Sequence, residues 1–92
     1  MKISLLDRFR RACRNLTRAD QAAVLRMLLS LESALANPVE RSGMGLRKVH
    51  PAGIWEARVG LSLRALFRLS ENEAVFVFLG THDEVKHFLR TL

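Results

Sequence analysis

Ninety-two residues with a formal net charge of +6 and a pI near 11.1 exclude much before any element is placed. Such a length supports one core, the 49% of hydrophobic residues excludes a disordered chain, and no apolar run approaches the ~20 residues of a membrane helix. The cationic excess points to an anionic partner, and the lone Cys13, which can form no internal disulfide, fits a reducing cytoplasm.

The N-terminal stretch MKISLLDRFRRACRNL has no signal-peptide h-region and no small-residue cleavage site. Within it Ile3, Leu6, Phe9, Cys13 and Leu16 recur at spacings of three and four, which predicts a helix with one apolar face. Ser4 and Asp7 read as its capping pair. Thr17 and Asp20 repeat the device and open a second helix, with Val24, Leu28, Leu31 and Leu35 on one side. Asn37-Pro38 ends it, because a residue before proline disfavours helical backbone. Glu40 to Gly45 then reads as a flexible loop.

Leu46 to His50 is expected as a short strand stopped by Pro51 and Gly53. From Ile54 to Val59 the residues alternate, with Trp55, Ala57 and Val59 opposite Ile54, Glu56 and Arg58. Leu61 to Leu69 alternates again and sets Arg64 and Arg68 on the polar side. A turn at Glu71-Asn72-Glu73 leads to Ala74–Leu79, apolar on both faces as in a central strand. Val85, Phe88, Leu89 and Leu92 predict a last helix from His82 or Asp83. The expected fold is α+β: an N-terminal helical hairpin packed on a three- to four-stranded, mostly antiparallel sheet, with a C-terminal helix. One domain spans residues 1–92. The free face of the sheet would carry Glu56, Arg58, Arg64 and Arg68.

Little conventional site chemistry is present. His50, His82 and His87 lack ligand spacing with each other or with Cys13, and Gly43 and Gly45 are not followed by the lysine and hydroxyl of a phosphate-binding loop. No metal or other cofactor is expected. The arginines on the sheet and a histidine at its edge suit metal-independent RNA cleavage. There a base frees the ribose 2′-OH to attack phosphorus, an acid protonates the leaving 5′-oxygen, and cations stabilise the phosphorane. Histidine titrates near neutrality and arginine grips phosphate bidentately. The duller alternative is a solvated arginine face paired with Glu56, Glu71 or Glu73. Trp55 is expected in the core, and the arginines of the first helix on a solvated face.

The order of LRKV, GIWEARVG, LRALFRL, an acidic turn and AVFVFLGTHDEV, after a helical hairpin, resembles the RelE/ParE superfamily of bacterial type II toxin–antitoxin toxins. The resemblance spans the whole chain and is strongest over Leu46–Leu92. Its RelE-like branch implies a ribosome-dependent mRNA endonuclease acting in the A site. On that reading Arg58 stabilises the phosphate and His82, in a Gly-Thr-His shared with YafQ-like members, is acid or base. Lys48 with Arg47, and Arg64 and Arg68, would contact RNA. The chain departs from the pattern in lacking any Tyr and in reducing the family's N-terminal strand to two or three residues at most. The ParE-like branch implies instead a non-catalytic inhibitor of DNA gyrase, and a degenerate toxin that only pairs with its antitoxin is a third alternative. Each implies a cognate acidic antitoxin as partner, a cytoplasmic location and no membrane.

Overall fold

The helix expected from Ile3 begins only after a strand has formed. In the computed structural model, which describes residues 1–92, β1 (Lys2–Leu5) precedes α1 (Asp7–Arg14). Ser4 caps no helix; its hydroxyl donates to Glu73 at 2.8 Å, and the Lys2 ammonium lies 3.8 Å from the same carboxylate. Pairing with a distant strand overrides a local helical period, as it does wherever a segment can complete a sheet edge.

α2 (Arg18–Ala36) starts as expected, with the Thr17 hydroxyl accepting the Asp20 N–H at 3.1 Å. It ends at Asn37, whose backbone is extended (φ −128°, ψ 114°) as the following proline requires. The expected loop after it is instead a short helix, α3 (Pro38–Gly43). Proline at the first helical position loses an N–H that would be unpaired anyway, and the Asn37 side chain accepts from the Val39 and Glu40 N–H groups at 2.9 and 3.2 Å. Ser33 donates to Glu40 at 2.6 Å, and Arg41 donates to the Leu35 carbonyl. Arg41 thereby brings positive charge to the C-terminus of α2, which has no basic residue in its own last turn.

The remaining elements are β2 (Arg47–His50), β3 (Ile54–Val59), β4 (Leu63–Ser70), β5 (Glu73–Thr81) and α4 (His82–Arg90). They form a five-stranded sheet of order β1-β5-β4-β3-β2, antiparallel except for the parallel β1–β5 pair. The sheet is thus one strand wider than expected and mixed. Leu61, read as the start of a strand, lies fully exposed in the β3–β4 turn.

One face of the sheet carries the main core. Phe9 of α1 and Val24, Met27 and Leu31 of α2 pack on Ala57, Val59, Ala65, Phe67 and Phe76, with the Phe76 ring 5.2 Å from Phe9 and 5.0 Å from Phe67. The other face is not free, as a two-layer arrangement would leave it. α4 crosses it, burying Val85 on Ile54 and Leu66 and stacking Phe88 on Phe78 at 4.5 Å. β5 serves both faces through a bulge: pairing passes from Phe67↔Phe76 to Leu66↔Phe78 and skips Val77.

α4 is held at its start by a capping box. The Thr81 hydroxyl accepts the Glu84 N–H at 3.2 Å and the Glu84 carboxylate accepts the Thr81 N–H at 2.8 Å. The Thr81 backbone bond, and then its hydroxyl, hold the Glu84 carboxyl below the usual carboxylate range. Because the folded value is lowered, the box contributes stability above the ordinary glutamate pKa and loses it as pH falls through the lowered value. Thr81→Ala should cost about 1 kcal/mol in urea denaturation at pH 7, whereas the deficit of Glu84→Gln, present at pH 7, should shrink when the titration is repeated at pH 3.

Candidate anion-binding site

The face crossed by α4 has a second character at the end where β2, β3 and β4 lie together. Arg47 pairs with Glu56, and Arg58 with Arg64, so the alternation of the three strands brings all four side chains to one side. Glu56 is only 4% exposed and is the one charged residue in the buried interior. Its Oε1 lies 3.5 Å from Arg47 Nη2 and 3.7 Å from Arg64 Nε. A buried carboxylate needs such partners. In return it fixes two guanidinium groups in place, one of which, Arg64, also donates to the Leu63 carbonyl at 3.2 Å.

Arg58 is different. It has no carboxylate partner; its Nη2 reaches the Gly43 carbonyl at 3.4 Å, and its backbone N–H donates to Met44 O at 3.1 Å. The side chain passes directly over Gly45. A Cβ there would lie 2.5 Å from Arg58 Nε, and the backbone φ of +63° is itself one that side chains resist. Gly45 therefore lets the guanidinium lie against the loop after α3.

A hollow of about 350 Å³ opens between these groups, lined by Ser42, Gly45, Leu46, Arg47, Glu56, Arg58 and Arg64. Three guanidinium groups face one carboxylate across it. Two of them are neutralised in part, and Arg58 keeps its full charge for a ligand. Such an arrangement binds an oxyanion by bidentate, charge-assisted bonds and stabilises charge that develops on it.

The other expected site residues lie elsewhere. His82 is the first residue of α4, exposed and without a hydrogen-bonding partner, and does not line the hollow. It follows β5 just beyond Gly80, which pairs with Arg64, the neighbour of Arg58. Two strand spacings, roughly 10 Å, therefore separate its strand from that of Arg58. Gly80 leaves room for the first turn of α4, since a Cβ on it would sit 3.0 Å from Glu84 Oε1 and from Phe78.

Arg68 shares the arginine side of β4 but is cut off from Arg64 by Leu66, which lies under α4; its cross-strand neighbours are Ile54 and Val75. Lys48 pairs with Trp55 and so belongs to the helical-hairpin face, opposite to Arg47. Its place next to Arg47 in sequence puts it on the wrong side of the strand for this hollow. Trp55 packs against the main core, as expected.

The other candidates take their ordinary roles. His50 Nδ1 accepts the Ala52 N–H at 3.0 Å. Cys13 is half-buried, and that burial pushes its thiol pKa up, away from the reactive thiolate. No group of three or more His, Cys, Asp or Glu side chains is placed to hold a metal ion.

In sequence Glu56 is legible only as a possible partner of the arginines, because alternation places it opposite Trp55 and Ala57 and says nothing of what covers that face. Glu56→Gln keeps the shape and removes the charge that positions Arg47 and Arg64. Chemical denaturation should show a loss of about 1–3 kcal/mol, with full solubility of the variant at neutral pH.

No family model matches the chain, and no curated protein matches it by sequence. Two solved structures from Helicobacter pylori share its fold. One, a crystal structure of a copper-bound mutant toxin, superposes with a TM-score of 0.57 at 13% identity, covering 92% of this chain and 98% of the other. The second, a solution structure of a conserved hypothetical protein, gives a TM-score of 0.55 at 15% identity with the same coverage of both chains. At these identities the likeness establishes a shared architecture over nearly the full length of each chain.

Proposed function

We propose that this chain is the toxin of a type II toxin–antitoxin pair and acts as a RelE-like, metal-independent endoribonuclease on mRNA in the ribosomal A site. The observation that carries the reading is Arg58, a guanidinium without a carboxylate partner, set beside Arg47 and Arg64 in one hollow. The fold it shares with a structure described as a toxin supports the assignment, as do the motifs from LRKV to GTHDEV.

The chemistry asks little of the protein beyond position and charge. An RNA strand lying in the hollow would place its scissile phosphate against Arg58. Removal of the 2′-OH proton lets that oxygen attack phosphorus; the P–O5′ bond then breaks, leaving a cyclic phosphate and a protonated 5′-OH. Arg58 stabilises the additional negative charge of the phosphorane. His82, exposed at the start of α4 just after β5, is the acid or base, reached by a substrate that extends from the hollow toward α4. Arg47 and Arg64, in the same hollow, help to hold that phosphate. In the cytoplasm a cognate antitoxin with an acidic segment would neutralise this surface by covering Arg58.

One observation favours a second reading. Because His82 does not line the hollow, the same surface would serve a non-catalytic inhibitor of the ParE type, acting on DNA gyrase. Primer extension on mRNA, with and without programmed ribosomes, separates the two. Ribosome-dependent cuts at A-site codons are expected, and intact mRNA together with inhibited gyrase supercoiling would overturn the nuclease reading.

Arg58→Ala and His82→Ala should each reduce cleavage by ~10²-fold or more. Both side chains are exposed, so thermal denaturation of either variant should stay close to wild type. Full cleavage by His82→Ala would remove His82 from the chemistry while leaving Arg58 in place.

A further inference from the structure

A second hollow, of about 370 Å³, lies on the other side of Arg58. Arg26, Met27 and Ser30 of α2 form one wall and Gly43, Met44 and Gly60 the other. Arg58 is the only residue that lines both hollows. No carboxylate lines this second one; Asp20 lies beside Gly60 at its margin, 3.6 Å from where a Cβ on that glycine would be.

Arg26 and Ser30 stand one helical turn apart on the same side of α2. Both are exposed, and neither makes an ion pair or a side-chain hydrogen bond within the chain. In the first hollow Glu56 partly neutralises Arg47 and Arg64. In the second, two guanidinium groups and a hydroxyl share a recess with no counter-charge on its walls. An anion is the ligand such a set lacks. Each recess is at the low end of the ~300–1,000 Å³ of small-molecule sites, a size suited to one nucleotide.

We propose that the two hollows are consecutive subsites of one single-strand track crossing Arg58, and that Arg26, assisted by Ser30, binds the phosphate adjacent to the one held by Arg47, Arg58 and Arg64. The proposal rests on reading the first hollow as an RNA site. Arg26 acts here as a binding residue and takes no part in bond breaking. Arg58 stands at the boundary of the two hollows, so the strand enters beside α2 and continues toward β2 and β4.

Fluorescence anisotropy with a single-stranded RNA of about ten nucleotides, uniformly 2′-O-methylated so that it cannot be cleaved by 2′-OH attack, tests this across a salt series. Arg26→Gln should weaken binding about tenfold at low salt and lower the slope of log K against log salt by about 0.7, the value for one phosphate contact on a single strand. Arg26→Lys should recover most of both. Ser30→Ala should weaken binding by less than Arg26→Gln. Unchanged affinity and slope for Arg26→Gln, in a protein whose wild type binds the oligonucleotide and loses binding with Arg58→Ala, would overturn the second subsite alone. Absence of binding by wild type would overturn the RNA reading of the first hollow and this proposal with it. Binding without cleavage on ribosomes would leave the track standing while removing the nuclease assignment.

Discussion

Between Phe76 and Phe78 the fifth strand takes in one residue more than its partner, and both layers of the molecule depend on that extra residue. Before the bulge, Ala74 and Phe76 point into the core beneath α1 and α2. After it, Phe78 turns to the opposite face and stacks on Phe88, while Leu79 returns to the first. A strand with unbroken alternation would send successive residues to alternate sides without this exchange. β5 is also the strand that β1 joins on one edge and β4 on the other. Its apolar composition on both faces is therefore a requirement of position: it is covered above, below and, in its first half, on both edges.

The same geometry shapes the candidate site. α4 covers the middle of the second face, over Ile54 and Leu66, and so divides the arginines of β4 into two groups. Arg64 stays with Arg58 and Arg47 at one end, and Arg68 remains alone at the other. What looks in sequence like one basic stripe becomes a compact cluster and a separate surface charge. Glu56 decides the character of the cluster. A carboxylate only 4% exposed would be costly alone; beside Arg47 and Arg64 it is compensated, and it orders the two side chains it compensates. The pairing leaves Arg58 as the guanidinium in the hollow with no carboxylate of its own, backed by the carbonyl of Gly43 rather than by an acid.

This division separates binding from catalysis in physical terms. A rigid, partly neutralised guanidinium pair beside an unpaired one is suited to holding a phosphate and lowering the energy of a more highly charged state. Proton transfer is a different demand, requiring a group within hydrogen-bonding reach of the ribose hydroxyl or the leaving oxygen. On the proposed nuclease reading, His82 would meet that demand only through a substrate long enough to span from the hollow to the start of α4. A strand that also occupies the recess beside Arg26 would be held on both sides of Arg58, which fixes its direction across the sheet. The shared architecture with the Helicobacter structures extends over nearly the whole chain. The proposed chemistry, by contrast, rests on a handful of side chains.

Much of the fold was readable from short-range signals. Thr17 with Asp20, Asn37 before Pro38, and the alternation of IWEARV and LRALFRL act within a few residues, and here they mark a helix start, a helix end and two strands. The apolar run at Ala74–Leu79 likewise announced a central strand. The sequence by itself also determined that the chain is cationic and that Arg58 and Arg64 belong to one side of the sheet, since their parity on adjoining strands is local. The tertiary structure alone decided that Ile3–Leu5 pairs with β5 instead of extending a helix, that α4 isolates Arg68, and that Glu56 claims two of the arginines. Each of these depends on a partner in another element, through strand register or the path of a covering helix. Periodicity tells which residues share a face; only packing tells what else occupies it.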